Sequence, residues 1–158
     1  LIMTAPVRPF ALYAAKFCVV AKMAFLTQGW LLVLFLIGGK LGAGLTGFPP
    51  PEILLWLLRG AVGGLPIIAI QLLLSMVIRN FALPVLMALG GSILGLMATT
   101  SNAGLFWPYS LMLMGMNSNR TEDVMTGQLP GFFLSCIIFL AIFLLTADAV
   151  LAKQDVKA

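Results

Sequence analysis

Residues Ala61 to Thr100 read AVGGLPIIAIQLLLSMVIRNFALPVLMALGGSILGLMATT, forty residues in which Arg79 is the only charge. A helix needs about 20 apolar residues to cross roughly 30 Å of hydrocarbon. The stretch therefore divides at Arg79-Asn80 into two crossings, 61–78 and 81–100, and so short a joint predicts a tight antiparallel hairpin.

The composition around this core agrees. The 158 residues are 61% hydrophobic and 9% charged, against about 25% charged residues in an ordinary soluble domain, and the mean hydropathy is +1.11. A soluble fold of this size has too little interior to hide that much apolar surface. Lipid is the solvent this chain is built for. Two further runs have crossing length. One is Met23 to Gly39, extended back to Phe17 by a Lys22 that snorkels to the headgroups, giving 17–39. The other runs from Gly131 through Ala147 toward Lys153, giving 131–151. The predicted fold is an all-α integral membrane protein, a single domain over 1–158 with four transmembrane helices.

Ala103 to Met116, AGLFWPYSLMLMGM, is apolar but only 14 residues long and contains Pro108. That suits a re-entrant or interfacial hairpin over 103–116, turning back on the outer side at Phe106-Trp107-Pro108-Tyr109, better than a fifth crossing. Charge distribution supports four. With four crossings both ends share one side, which then holds Arg8, Lys16, Lys22, Arg79, Lys153 and Lys157, leaving Lys40, Arg59 and Arg120 opposite. Six against three marks the first side as cytoplasmic.

Phe48-Pro49-Pro50-Pro51-Glu52 cannot be helical in its middle, because prolines lack the backbone donor and fix φ. It starts a new helix from Glu52 to Ile78, with Glu52 at the positive end of the dipole and Trp56 at belt depth. A bend is expected near Gly63-Gly64-Leu65-Pro66. The segment 1–16, with Pro6 and Pro9 stiffening TAPVRPFALYAAK, forms an N-terminal cytoplasmic interfacial element ahead of the first crossing. It is either a plain anchor or a docking element for a cytoplasmic partner. Its opening residues lack the order of a signal peptide.

Several chemistries are excluded or weakened. Without His there is no imidazole for a zinc centre or a Ser-His nucleophile. No G-x-x-x-x-G-K-[ST] occurs, so no Walker-type nucleotide site is present, and the thinly spread +4 charge gives nucleic acid no patch. No catalytic, metal or cofactor residues are read. Cys18 and Cys136 lie in apolar runs and read as small core residues. Asn119-Arg120-Thr121 matches the glycosylation sequon only superficially and reads as a solvated loop.

The remaining candidates are polar or small residues in apolar surroundings. Gln28, Gln71 and Ser75 call for partners, either across helices or along a substrate path. Thr27 and Thr99 to Asn102 are further polar positions. Asp148, the one acid in the last hydrophobic stretch, lies about a turn from Lys153 near the membrane edge, which favours an interfacial position over a proton or ion relay. Gly38 and Gly42, Gly60 and Gly64, and Gly91 and Gly95 each put two glycines on one helical face, where another helix approaches closely, either within the chain or from a second subunit.

Three strings resemble a known family. Ala5-Pro6-x-Arg8-x-x-x-x-Tyr13-x-x-Lys16-Phe17 looks like the segment after the short coupling helix of ABC-2 type permeases. Leu65 to Ser75 (LPIIAIQLLLS), Arg79 to Pro84 (RNFALP) and Phe106-Trp107-Pro108-Tyr109 resemble the lantibiotic-immunity and bacitracin-resistance branch of those permeases, as does the ending Ala152 to Val156 (AKQDV). The resemblance implies a six-helix permease subunit in the bacterial cell membrane, with its first two membrane helices and most of the coupling helix absent here. It also implies a second permease subunit, identical or different, and cytoplasmic ABC ATP-binding subunits that contact Pro6, Arg8, Tyr13 and Lys16. The implied cargo is a peptide antibiotic or another hydrophobic substrate. An integral-membrane enzyme on lipids would need clustered ionisable groups, and the five acids are scattered. A structural or sensory membrane protein working through helix association alone is the third reading.

Overall fold

The computed structural model describes residues 8–44, 46–47, 51–101, 103–118, 122–123 and 125–155. Pro6, the Phe48-Pro49-Pro50 break, Asn102, the Asn119-Arg120-Thr121 loop, Val156 and Lys157 lie outside them. The described residues form helices α1 (Pro9–Ile37), α2 (Glu52–Val77), α3 (Ala82–Thr100), α4 (Pro108–Gly115) and α5 (Leu129–Asp155), with no strand among them. Four of these, α4 excepted, are long and apolar enough to cross a membrane.

α1 starts earlier than its apolar core suggests. Pro9 occupies the first helical turn, where a missing N–H costs nothing, so Pro9 to Lys16 are the opening turns of the long helix, continuous with the 17–39 span. At its far end α1 widens into a π-helical turn over Gly38–Gly42. α2 starts at Glu52 behind Pro51 and runs on to Val77 with Pro66 inside it. Asn80 starts α3, its side-chain oxygen accepting the Ala82 N–H at 2.9 Å. Cys18 is exposed on α1 and Cys136 is buried in α5, and both are free thiols, so only Cys136 is a core residue.

The expected α2–α3 hairpin needs correction. The turn between them is short, yet the two helices touch each other little, because α4 sits between them and packs on both and on α5. Backbone contact explains why α4 displaces a direct α2–α3 seam. A Cβ placed on Gly63 of α2 would lie 2.5 Å from the Leu111 carbonyl oxygen, and one on Gly115 of α4 would lie 2.6 Å from the Arg59 carbonyl oxygen. Small residues at both positions let the two backbones meet.

The route of the chain into α4 follows from its neighbours. After Thr100 a 3₁₀ turn, Gly104–Phe106, carries the chain back along α3 until the Trp107 indole N–H donates to the Gly91 carbonyl at 3.0 Å. Gly91 lies nine residues, about 13 Å, before the end of α3 at 1.5 Å per residue. The turn at Trp107-Pro108 thus sits well back along α3 instead of level with its end. Trp107 is extended, as a residue before proline prefers, and Pro108 opens α4 at its first position. α4 then climbs to Gly115 beside Arg59 and stops at Asn117, whose left-handed backbone (φ 52°) is one asparagine tolerates.

Two buried clusters hold the bundle. Tyr13, Leu73, Ala147 and Leu151 join the start of α1 to the ends of α2 and α5. Leu111, Met125, Phe132 and Cys136 join α4 to the start of α5 at the other end.

Candidate functional site

The terminal end of the bundle, where α1 begins and α5 finishes, gathers three of the residues singled out from the sequence. Arg8 caps α1 and is exposed, and Lys16 is exposed two turns on. Tyr13 is different in kind. It is fully buried, and its hydroxyl donates to the Ala69 carbonyl of α2 at 2.8 Å. A ring that fills a core pocket between three helices offers no surface to another protein, so Tyr13 fastens α1 to α2 and positions its exposed neighbours. Asp148 of α5 reaches this end as well. Arg8, Pro9, Phe10 and Ala11 on one side, with Asp148 and Ala152 on the other, enclose a cleft of about 600 Å³. A shallower hollow of about 480 Å³ follows α3 from Asn80 to Leu89 and is lined mostly by aliphatic side chains.

The middle of the bundle is where the amides were expected to find partners. Gln71 of α2 donates its side-chain N–H to the Tyr109 hydroxyl oxygen of α4 at 2.5 Å. Ser75 instead donates to its own helix, at the Leu72 carbonyl, and Thr27 does the same at Met23. Gln28 is half-buried on α1 with no hydrogen-bond partner among the described residues. Of the three polar positions, Gln71 is the one bonded to another helix, α4. Glycines play a parallel part. A Cβ on Gly60 would meet Met116, and one on Gly91 or Gly95 would meet Tyr109, whereas Gly64 has only the Met112 sulfur at 3.9 Å and Gly38 and Gly42 have nothing within 4 Å.

At the far end, Arg59 and Asp123 form a two-point ion pair that the sequence reading missed. The Arg59 Nη2 donates to Asp123 Oδ2 at 2.7 Å and Nη1 to Oδ1 at 3.3 Å. Arg59 is 4% exposed and Asp123 31%. The Arg59 hydrogen bonds are the main cause holding the Asp123 carboxyl below the usual carboxylate range, aided by the Met125 N–H and opposed by partial burial. The buried Trp56 indole N–H stands near enough to add weakly to that effect, without a partner at hydrogen-bond geometry. A signal was available. A lone cation in an apolar helix demands an acid, and the only nearby acids in sequence order after α4 are Glu122 and Asp123.

Among the described residues no group of three or more Cys, Asp or Glu is arranged to hold a metal ion. What the arrangement offers is a set of apolar crossings stitched by a few polar contacts, with one charged cleft at the terminal end.

Comparison with known proteins gives one finding. A family described as ABC-2 family transporter protein matches residues 1–95, a region that runs through α1 and α2 to Gly95 of α3. Neither the curated proteins nor the solved structures gave a match. With more than half of its 158 residues matched and four helices able to cross a bilayer, the chain is a multi-pass membrane protein that belongs to the ABC-2 transporter family, a non-catalytic transport component that typically works with an ATP-binding subunit.

Proposed function

We propose that the chain is a permease subunit of an ATP-driven exporter, moving a peptide antibiotic or another hydrophobic substrate across the bacterial cell membrane. The observation that carries this reading is the family match over residues 1–95, which takes in both the segment ahead of the first crossing and the whole of α2. A second permease subunit, identical or different, completes the path, and a cytoplasmic ABC subunit hydrolyses ATP.

The terminal end faces the cytoplasm in this reading, since four crossings assign six of the nine Lys and Arg of the sequence to that side. Arg8 and Lys16 are the contacts to the ATPase, with Pro6 stiffening the approach, and both cations are exposed as such a role requires. Tyr13 supplies the rigid link behind them. Force on the start of α1 reaches α2 through the Tyr13–Ala69 bond and the Leu73, Ala147 and Leu151 packing around it. The Ala103 to Met116 element is re-entrant and leaves and returns on the outer side. Gln71 and Tyr109 lie at its deepest point, where a moving α2 would stretch their bond.

The test is co-purification with an ATPase, combined with Arg8→Glu. The variant reverses a contact charge outside the hydrocarbon, so it should insert and accumulate as wild type does, yet lose stimulation of its partner's ATP hydrolysis and lose transport. One interfacial cation used only as an anchor contributes on the order of 1 kcal/mol near an anionic leaflet, and its loss would shift yield or orientation modestly. Wild-type coupled turnover in the reconstituted Arg8→Glu complex would remove Arg8 from the interface.

A further inference from the structure

The cleft at the terminal end has walls of opposite charge. Arg8 stands on the α1 side, Asp148 on the α5 side, and the two do not pair with each other across it. Between them the lining is short or apolar: Pro9, Phe10, Ala11 and Ala152. Ala152 follows Asp148 by four residues, so both lie on one face of α5, and the alanine leaves the floor open beneath the carboxylate. The volume, about 600 Å³, lies within the range of small-molecule sites.

We propose that this cleft seats the headgroup of a phospholipid that carries both a phosphodiester and a primary ammonium, the phosphatidylethanolamine class. The phosphodiester accepts hydrogen bonds from the Arg8 guanidinium, whose planar fork suits phosphate oxygens. The ammonium donates to the Asp148 carboxylate. Position favours a lipid over a soluble zwitterion. The cleft lies where α1 begins and α5 ends, at the ends of two helices long and apolar enough to cross a membrane, and a crossing pair brings that end toward the headgroups. Leu145, three residues before Asp148 on the same face of α5, is 70% exposed and gives an acyl chain apolar surface beside the charged end. The same chemistry rejects related lipids. A phosphatidylglycerol headgroup meets Arg8 well but offers Asp148 only neutral hydroxyl donors, without the positive charge of an ammonium. A phosphatidylcholine headgroup carries the positive charge without an N–H to donate.

The proposal shares Arg8 with the transport reading, so it is tested through Asp148 and without the ATPase, and its failure leaves that reading standing. The full chain is purified in mild detergent with equal mole fractions of phosphatidylethanolamine, phosphatidylglycerol and phosphatidylcholine, and retained lipid is counted by native mass spectrometry. Phosphatidylethanolamine should exceed each of the others by about fivefold, the scale of one charge contact at a membrane surface. Asp148→Asn should bring the phosphatidylethanolamine to phosphatidylglycerol ratio close to one, while Asp148→Glu should keep most of the preference. Asp148 is exposed, so neither change disturbs the core, and unchanged circular dichroism would verify this. Equal retention of the three lipids by the wild type would overturn the proposal, as would an Asp148→Asn variant that keeps its preference. Displacement of the lipid by an equal concentration of glycerophosphoethanolamine would overturn it too, by showing that the site reads a soluble amine phosphate.

Discussion

At the scale of single residues, the sign of a glycine substitution follows from what the new methyl group meets. A Cβ on Gly63 would lie 2.5 Å from the Leu111 carbonyl oxygen, and backbone cannot give way as a side chain end can. Gly63→Ala should therefore destabilise by about 1–3 kcal/mol, the range for overpacking a filled site. Gly29 lies in the middle of α1 with nothing within 4 Å, and Gly29→Ala should stabilise by about 0.5–1 kcal/mol through the helix preference of alanine alone. Thermal unfolding of the two variants in one detergent checks both, and a loss at position 29 equal to that at 63 would contradict the packing described. The Gln71–Tyr109 bond makes a second residue-scale prediction. A double-mutant cycle with Gln71→Leu and Tyr109→Phe should give a coupling near 0.6 kcal/mol and no more than about 1.7, as for other hydrogen bonds between membrane helices. The need of Gln71 for a partner was legible in the sequence, because an amide in lipid must find one. Its identity was not, since Tyr109 lies 38 positions away and reaches Gln71 only through the course of α4.

Whole elements were legible where apolar length decides them and obscure where a neighbour does. The four long helices follow from runs that match the membrane thickness, and Pro108 rightly interrupts the fifth apolar run. Nothing in the Arg79-Asn80 turn, however, says that α2 and α3 must stand apart, because the cause lies in a segment encoded later. The Arg59–Asp123 pair belongs to this scale, since it ties the stretch after α4 back to α2. Asp123→Asn leaves Arg59, 4% exposed, without its counter-charge. The cost should be about 3 kcal/mol, the low end for breaking a buried pair, because Asp123 keeps partial exposure. The pH dependence has a definite sign. The folded Asp123 carboxyl titrates below its unfolded value, so its contribution is complete above about pH 4–5 and disappears as pH falls through the depressed folded value. The stability gap between wild type and Asp123→Asn should stay constant from pH 7 to about pH 5 and shrink only below the ordinary carboxylate range. A gap that closes already near pH 6 would show that the pair does not hold the carboxylate charged.

For the molecule as a whole, the testable statement is its orientation. In a background with Cys18→Ala and Cys136→Ala, a cysteine at position 46 should react with an impermeant thiol reagent in intact cells, and one at position 157 should stay protected. The opposite pattern would invert the topology. Reporter fusions at positions 102 and 126 should report one and the same side, and opposite sides would make 103–116 a crossing. The placement of α4 between α2 and α3 also has a consequence for the order in which the protein is made. A ribosome completes both flanking helices before it has made the wedge that separates them, and fifteen more residues must be added after Thr100 to reach Gly115. At about 5–20 residues per second the nascent chain spends on the order of one to three seconds with the faces around Gly63, Gly91 and Gly95 uncovered. During that interval two small-residue surfaces made for a third helix are free to close on each other. For that interval the α2 and α3 surfaces that seat α4 exist without the helix they are shaped for.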